Sequence, residues 1–184
     1  MAVVPTITLV SADEYLNSSY HPDMEYVDGV LVERGVPTGS HGLLQHILGV
    51  YFEPYCEQFE FEPLPEVRTQ IIERARYRIP DLMLCSLPVP AGVMTAVPWA
   101  VIEILSPEDR LSDLVARLQD YKEIGVHHMV LLDPEDLVAY SFENGTLAQT
   151  QFTSLRLPTG DLPFDTTDLF QRLTARLNRG ATVS

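Results

Sequence analysis

Arg78-Ile79-Pro80-Asp81 and, after a loop, Val101-Ile102-Glu103-Ile104-Leu105 each set one carboxylate inside an apolar, strand-like run. Such runs are usually buried, and a buried carboxylate is costly unless it is paired, hydrogen-bonded or bound to a metal. Residues two apart on a strand share a face, so Glu103 points with Val101 and Leu105 while Ile102 and Ile104 point the other way. If the two strands are neighbours, Asp81 and Glu103 converge on one face. Taken singly, either acid is explained by capping an amide or pairing with an arginine such as Arg78. Taken together, they favour a site. Two carboxylates, a backbone carbonyl and waters make a shell for Mg²⁺ or Mn²⁺, which prefer hard oxygen ligands.

Outward from these strands the pattern alternates between the two secondary structures. Ser11-Ala12-Asp13-Glu14 reads as a capping box opening a short helix through Leu16. Residues 24–33 read as a hairpin, with Asp28-Gly29 supplying the positive φ angles of its turn. Ser40 is expected to cap a helix to about Gln58, with Leu43, Leu44, Ile47, Leu48 and Tyr51 on one face. Strands are expected near 66–73, 77–85 and 98–105, the second made irregular by Pro80. A helix from about Ser112 to Ile124 stops at Gly125, and a strand over Val126–Leu132 ends at Asp133-Pro134. A hairpin turns at Asn144-Gly145, joining 137–143 to 146–152. Asp165 can cap a last helix, Thr166–Asn178, with Leu169, Phe170, Leu173 and Leu177 on its apolar face. No repeat or linker divides the chain. These elements specify one mixed α/β domain over residues 1–184, a central mixed sheet flanked by helices with an extra C-terminal hairpin and helix.

Composition narrows the function classes. Apolar runs are strand-length, so nothing is expected to span a membrane. The start, Met1-Ala2-Val3-Val4-Pro5, has no positive region or cleavage-like site and reads as no leader. Cys56 and Cys85 lie far apart, as befits reduced, buried thiols in a cytoplasmic protein. With 26 acidic against 12 basic residues the net charge is −14, whereas a dedicated nucleic-acid binder normally shows a basic footprint. The one local basic cluster is Arg68 with Arg74, Arg76 and Arg78.

After the Glu103 strand, Ser106-Pro107 ends the extended run. The next helix carries Asp113, Arg117 and Tyr121 along one stripe. Asp113–Arg117 alone reads as a surface ion pair; the functional alternative puts Arg117 over the strand pair, steadying a phosphate. Met24-Glu25-Tyr26-Val27-Asp28-Gly29, His41, Pro80-Asp81, Val101 to Pro107, Asp113…Arg117…Tyr121, Gly125-Val126 and Leu132-Asp133-Pro134 occur in that order. As an ordered set over roughly residues 10–140, they resemble the Uma-two family of restriction endonucleases, within the PD-(D/E)XK nuclease superfamily. The resemblance implies a restriction-endonuclease-like core and a metal-dependent phosphodiesterase site acting on DNA to leave a 5′-phosphate. It implies Asp81, Glu103, the Ile104 carbonyl and Glu25 as ligands of Mg²⁺ (or Mn²⁺). By the same likeness Glu25, His41, Asp81, Glu103 and Arg117 are the catalytic set, with His41 contacting phosphate or water. Gln45 and His46, on the same helix, read as surface or packing residues.

One departure from the family pattern bears on chemistry. The superfamily's lysine two residues after the acid is replaced by Leu105, and the family's shifted lysine, four residues before the tyrosine, is Arg117 here. Lysine can lose a proton when desolvated, whereas arginine stays charged and only donates. Lys122 lies about 140° round the helix from Arg117 and does not replace it. The competing readings are a nuclease-fold interaction module, homodimeric through edge strands or the C-terminal hairpin, and a metal-free hydrolase using the two acids as an acid–base pair. The latter is weakened by the lack of an aromatic sugar platform, Trp99 being the sole tryptophan.

Overall fold

The two acid-bearing runs become neighbouring strands of one sheet in the computed structural model, which describes residues 8–179. Met1–Pro5, where a leader was judged absent, lies outside the described residues. A short helix, α1 (Ala12–Leu16), starts at Ser11, whose hydroxyl accepts from the Glu14 amide at 3.1 Å. The hairpin of β1 (Met24–Val27) and β2 (Val30–Glu33) turns on Asp28 and Gly29, at φ +50° and +91°. Helix α2 (Gly39–Phe52) is capped by Thr38, which accepts from the His41 amide, and not by Ser40 as expected. It also ends early: Pro54 sits in a 3₁₀ turn, Glu53–Tyr55, before the single turn α3 (Cys56–Phe59). Proline is tolerated there because a first-turn N–H has no helical partner to lose.

Strands β3 (Phe61–Leu64), β4 (Thr69–Ile72), β5 (Arg76–Arg78), β6 (Leu82–Ser86) and β7 (Ala100–Ile104) follow. The expected strand 77–85 is thus two strands broken at Ile79-Pro80, and they belong to different sheets. Helix α4 (Leu111–Glu123) is stopped by Gly125 at φ +91° and leads into β8 (His128–Asp133). Strands β9 (Val138–Glu143) and β10 (Thr146–Gln149) form the Asn144-Gly145 hairpin. A ribbon of β11 (Ser154–Leu157) and β12 (Gly160–Pro163), not foreseen, precedes α5 (Thr166–Leu177), whose first amides donate to Asp165 as expected.

The central sheet runs β10-β9-β8-β7-β6-β3, with only β7 and β8 parallel; an antiparallel sheet runs β2-β1-β5-β4. Alternation along β6 and β7 sorts the core. Leu82, Leu84, Ala100, Ile102 and Ile104 pack with Leu44, Leu48 and Phe52 of α2 and Leu169 and Leu173 of α5. Met83, Val101 and Leu131 pack with Leu114, Leu118 and Tyr121 of α4. Leu177, expected on the buried face of α5, is 49% exposed at the fraying last turn. Cys85 is buried and Cys56 half-buried, both as free thiols. Among the described residues no helix is long and apolar enough to cross a membrane.

Candidate active site

Strands β6 and β7 pair with Leu82 opposite Ile102 and Met83 opposite Val101. One step further along this antiparallel register brings Asp81 beside Glu103, and both are buried. Asp81 is held on every side. Its Oδ2 accepts the Ile104 amide at 2.7 Å, and its Oδ1 accepts from the Arg34 guanidinium. The same Oδ1 lies 3.4 Å from His41 Nε2. Helix α2 supplies this histidine from its first turn, and His41 Nδ1 in turn meets the Ser106 hydroxyl at 3.0 Å. One turn on, Gln45, expected as a surface or packing residue, donates to the Asp81 carbonyl at 2.9 Å and so anchors the acid's backbone. Burial raises the Asp81 pKa, but His41, Arg34 and the Ile104 amide outweigh it and hold the carboxyl below its usual range.

Glu103 is perturbed in the opposite direction. Tyr121 of α4 donates to its Oε1 at 2.9 Å. The other oxygen, Oε2, is buried with no hydrogen-bond partner, 3.8 Å from Arg117 Nη1. Burial pushes Glu103 up to about 7; Arg117 opposes the rise, and the charges of Asp81 and Glu25 add to it. Two adjoining carboxylates with affinities for protons driven apart is an arrangement found at catalytic sites.

The remaining expected residues surround this pair. Glu25, on β1, receives Arg78 Nη1 at 2.6 Å and the Ile79 amide at 3.0 Å. Both its oxygens are engaged in this geometry, and Glu25 is Arg78's partner. Among the described residues no three His, Cys, Asp or Glu side chains are gathered at ligand spacing. Arg117 does reach over the strand pair, but its second ion pair is with Asp109, at 3.4 Å, and not with Asp113. Arg76 and Arg78 both clasp Asp120 of α4 at 2.6 Å, and Arg76 also bonds Asp28. Arg68 stacks over the Tyr15 ring at 4.2 Å. The local basic cluster of the sequence is therefore largely internal scaffolding.

Two contributors escaped the sequence reading, Arg34 and Asp120. Arg34 lies in the irregular stretch after β2, where no periodic pattern marks it. Asp120 offered a faint signal, as an acid immediately before Tyr121 in an otherwise amphipathic helix. A cavity of about 20 Å³ lies between Arg34, His41, Asp81, Ile104, Ser106 and Arg117, room for about one water-sized group. It adjoins a cleft of about 280 Å³ shared by Glu25, Arg34, Arg78 and Arg117. A roomier groove of about 890 Å³, between β9–β10 and α5, contains none of these acids. Asp81 and Glu103 offer hard oxygen donors of the kind a divalent cation prefers, one of them the unpartnered Glu103 Oε2; Glu103 does not itself border the small cavity.

A mixed sheet between helices, with paired acids on adjoining strands, places the chain in the restriction-endonuclease-like fold class. The chain belongs to the Uma2 family, described as "Putative restriction endonuclease", whose model matches residues 12–170. Among solved structures it is similar to a putative nuclease belonging to DUF820 from Anabaena variabilis, with a TM-score of 0.74 at 20% identity, covering 89% of this chain and 99% of that one. A cryo-electron microscopy structure of a DrdV–DNA complex also matches, with a TM-score of 0.37 at 14% identity over 68% of this chain and 11% of that one. No curated protein matches.

Proposed function

We propose that this domain is a metal-dependent endonuclease hydrolysing phosphodiester bonds of DNA. The observation that carries the reading is the juxtaposition of Asp81 and Glu103 across β6 and β7, buried together, with one carboxylate oxygen left without a partner. Asp81, Glu103 and the Ile104 carbonyl would hold Mg²⁺ or Mn²⁺. A cation held there would supply neutralisation of phosphate charge and a lowered pKa for a bound water. Tyr121 fixes Glu103 through one oxygen and leaves the other available. His41, oriented by Ser106, steadies Asp81 through Oδ1, while the Ile104 amide holds Oδ2. Arg117 donates to phosphate oxygens; because arginine keeps its proton, it stabilises charge and does not act as the base. Glu25 holds Arg78, and through it Asp120 and α4, in place.

The test is cleavage of supercoiled plasmid in Mg²⁺ or Mn²⁺ against EDTA. Cleavage is expected only with metal, and Asp81→Asn or Glu103→Gln should lower it at least about a hundredfold. If wild-type protein neither cuts DNA with either ion nor releases heat on Mn²⁺ titration, the reading fails. A second reading, a nuclease-fold homodimeric interaction module, draws on Arg117 standing in the lysine's place and paired with Asp109 and Glu103. It gains if both assays are negative and the protein sediments as a dimer.

A further inference from the structure

Four buried acids, Glu25, Asp81, Glu103 and Asp120, are met by four arginines, Arg34, Arg76, Arg78 and Arg117. In the metal-free protein each of these acids already faces a guanidinium, and a divalent ion entering there competes with a resident cation for its carboxylate. Uncompensated buried charge is costly. One of the arginines must yield, or the ion binds weakly.

The four differ in how firmly they are tied. Arg76 and Arg78 sit on β5 and share Asp120; Arg117 sits on α4. Arg34 alone lies on irregular chain, residues 34–38 between β2 and α2, followed by Gly35 with open space around it. Its partners are Asp81 and, at 3.6 Å, Glu66, which is 42% exposed; its Nε, like those of Arg76 and Arg117, has no partner. The guanidinium borders both the small cavity beside Asp81 and the outer cleft. A side chain at that junction can leave Asp81 and remain in the cleft, near solvent.

We propose that Arg34 is a displaceable counter-ion: it occupies Asp81 in the metal-free protein and must withdraw when a divalent cation takes that carboxylate. This rests on the metal-site reading above, and it makes Arg34 a competitor of the ion. The resident guanidinium already takes Asp81 Oδ1, so an incoming cation would compete with it for this carboxylate. Removing the arginine therefore destabilises the metal-free protein and strengthens metal binding.

Mn²⁺ titration calorimetry on the full chain, with melting curves in EDTA and in Mn²⁺, tests this. Arg34→Gln should melt lower than wild type in EDTA, bind Mn²⁺ at least tenfold tighter, and gain more melting temperature from the ion. If it does not fold in EDTA, Arg34→Lys serves, since lysine keeps the charge but loses the planar fork; severalfold tighter Mn²⁺ binding is expected. Asp81→Asn marks heat that belongs to the site. Asp81-dependent heat with no gain in affinity on changing Arg34 overturns the counter-ion proposal and leaves the metal-site reading standing. Absence of Asp81-dependent heat in both wild type and the Arg34 variants overturns the metal-site reading, and the proposal with it.

Discussion

Glu103 has one oxygen on the Tyr121 hydroxyl and the other facing no donor, so burial makes its charge expensive. Its pKa rises from an ordinary 4.5 to about 7. A group that binds its proton more tightly when folded stabilises the fold fully below pH 4.5 and loses that contribution as pH rises through 7. The metal-free protein should therefore lose about 3 kcal/mol of stability between those limits from this side chain. Urea unfolding in EDTA at pH 5 and pH 8 checks it. Glu103→Gln, which keeps an oxygen for Tyr121 without the charge, should flatten the dependence; an unchanged slope would refute the assignment. Arg117 poses the complementary question, because its charge cannot leave. If the plasmid assay shows slow cleavage, Arg117→Lys should accelerate it at alkaline pH, where a desolvated lysine can lose its proton. Faster cleavage by Arg117→Ala than by Arg117→Lys would contradict that role.

Helix α2 brings His41 and Gln45 to Asp81, and its start is fixed by one hydroxyl. Thr38→Ala removes the cap and should cost about 1 kcal/mol, whereas Ser40→Ala, already inside the helix, should cost much less. Chemical denaturation of the two variants decides between the cap expected from sequence and the cap observed. Helix α4 is clamped differently. Asp120 faces two arginines from β5, and Asp120→Ala would leave Arg76 with Asp28 and Arg78 with Glu25 as their remaining acids, for a loss of about 3 kcal/mol measured by the same method. Local signals explain what was legible beforehand. Asp28-Gly29, Asn144-Gly145 and the Asp165 cap each declare themselves within a few residues, and the alternation in 101–105 aims Glu103 at α4. Asp81 and Glu103 were visible because acids interrupt apolar strands. The partners that shape them were not, since Arg34 reaches Asp81 across 47 positions and Arg76 reaches Asp120 across 44. Such pairings have no periodicity to betray them. The strand Phe61–Leu64 was hidden by Pro63, which an edge position allows.

Across the whole molecule the charge is −14, and a polyanionic substrate meets a repulsive field at distance. The basic residues do little to offset it. Arg34, Arg76, Arg78 and Arg117 are engaged with buried acids, and Arg74, Arg156 and Arg172 pair with Asp13, Asp161 and Asp168 at the surface. On the endonuclease reading, affinity for DNA would have to come from the site itself, by way of an ion and the few guanidinium groups bordering the cleft, and not from a basic track along the duplex. Each phosphate neutralised by protein steepens the fall of log K with log salt by about 0.9. Two or three contacts predict a slope no steeper than about −3, with weak binding even in low salt. Fluorescence anisotropy of a labelled duplex with the Asp81→Asn protein, titrated from low to moderate salt, measures it. A slope of about −6 or steeper would mean that many more cations meet the backbone than these ion pairs leave free, and would place the DNA on another face of the molecule.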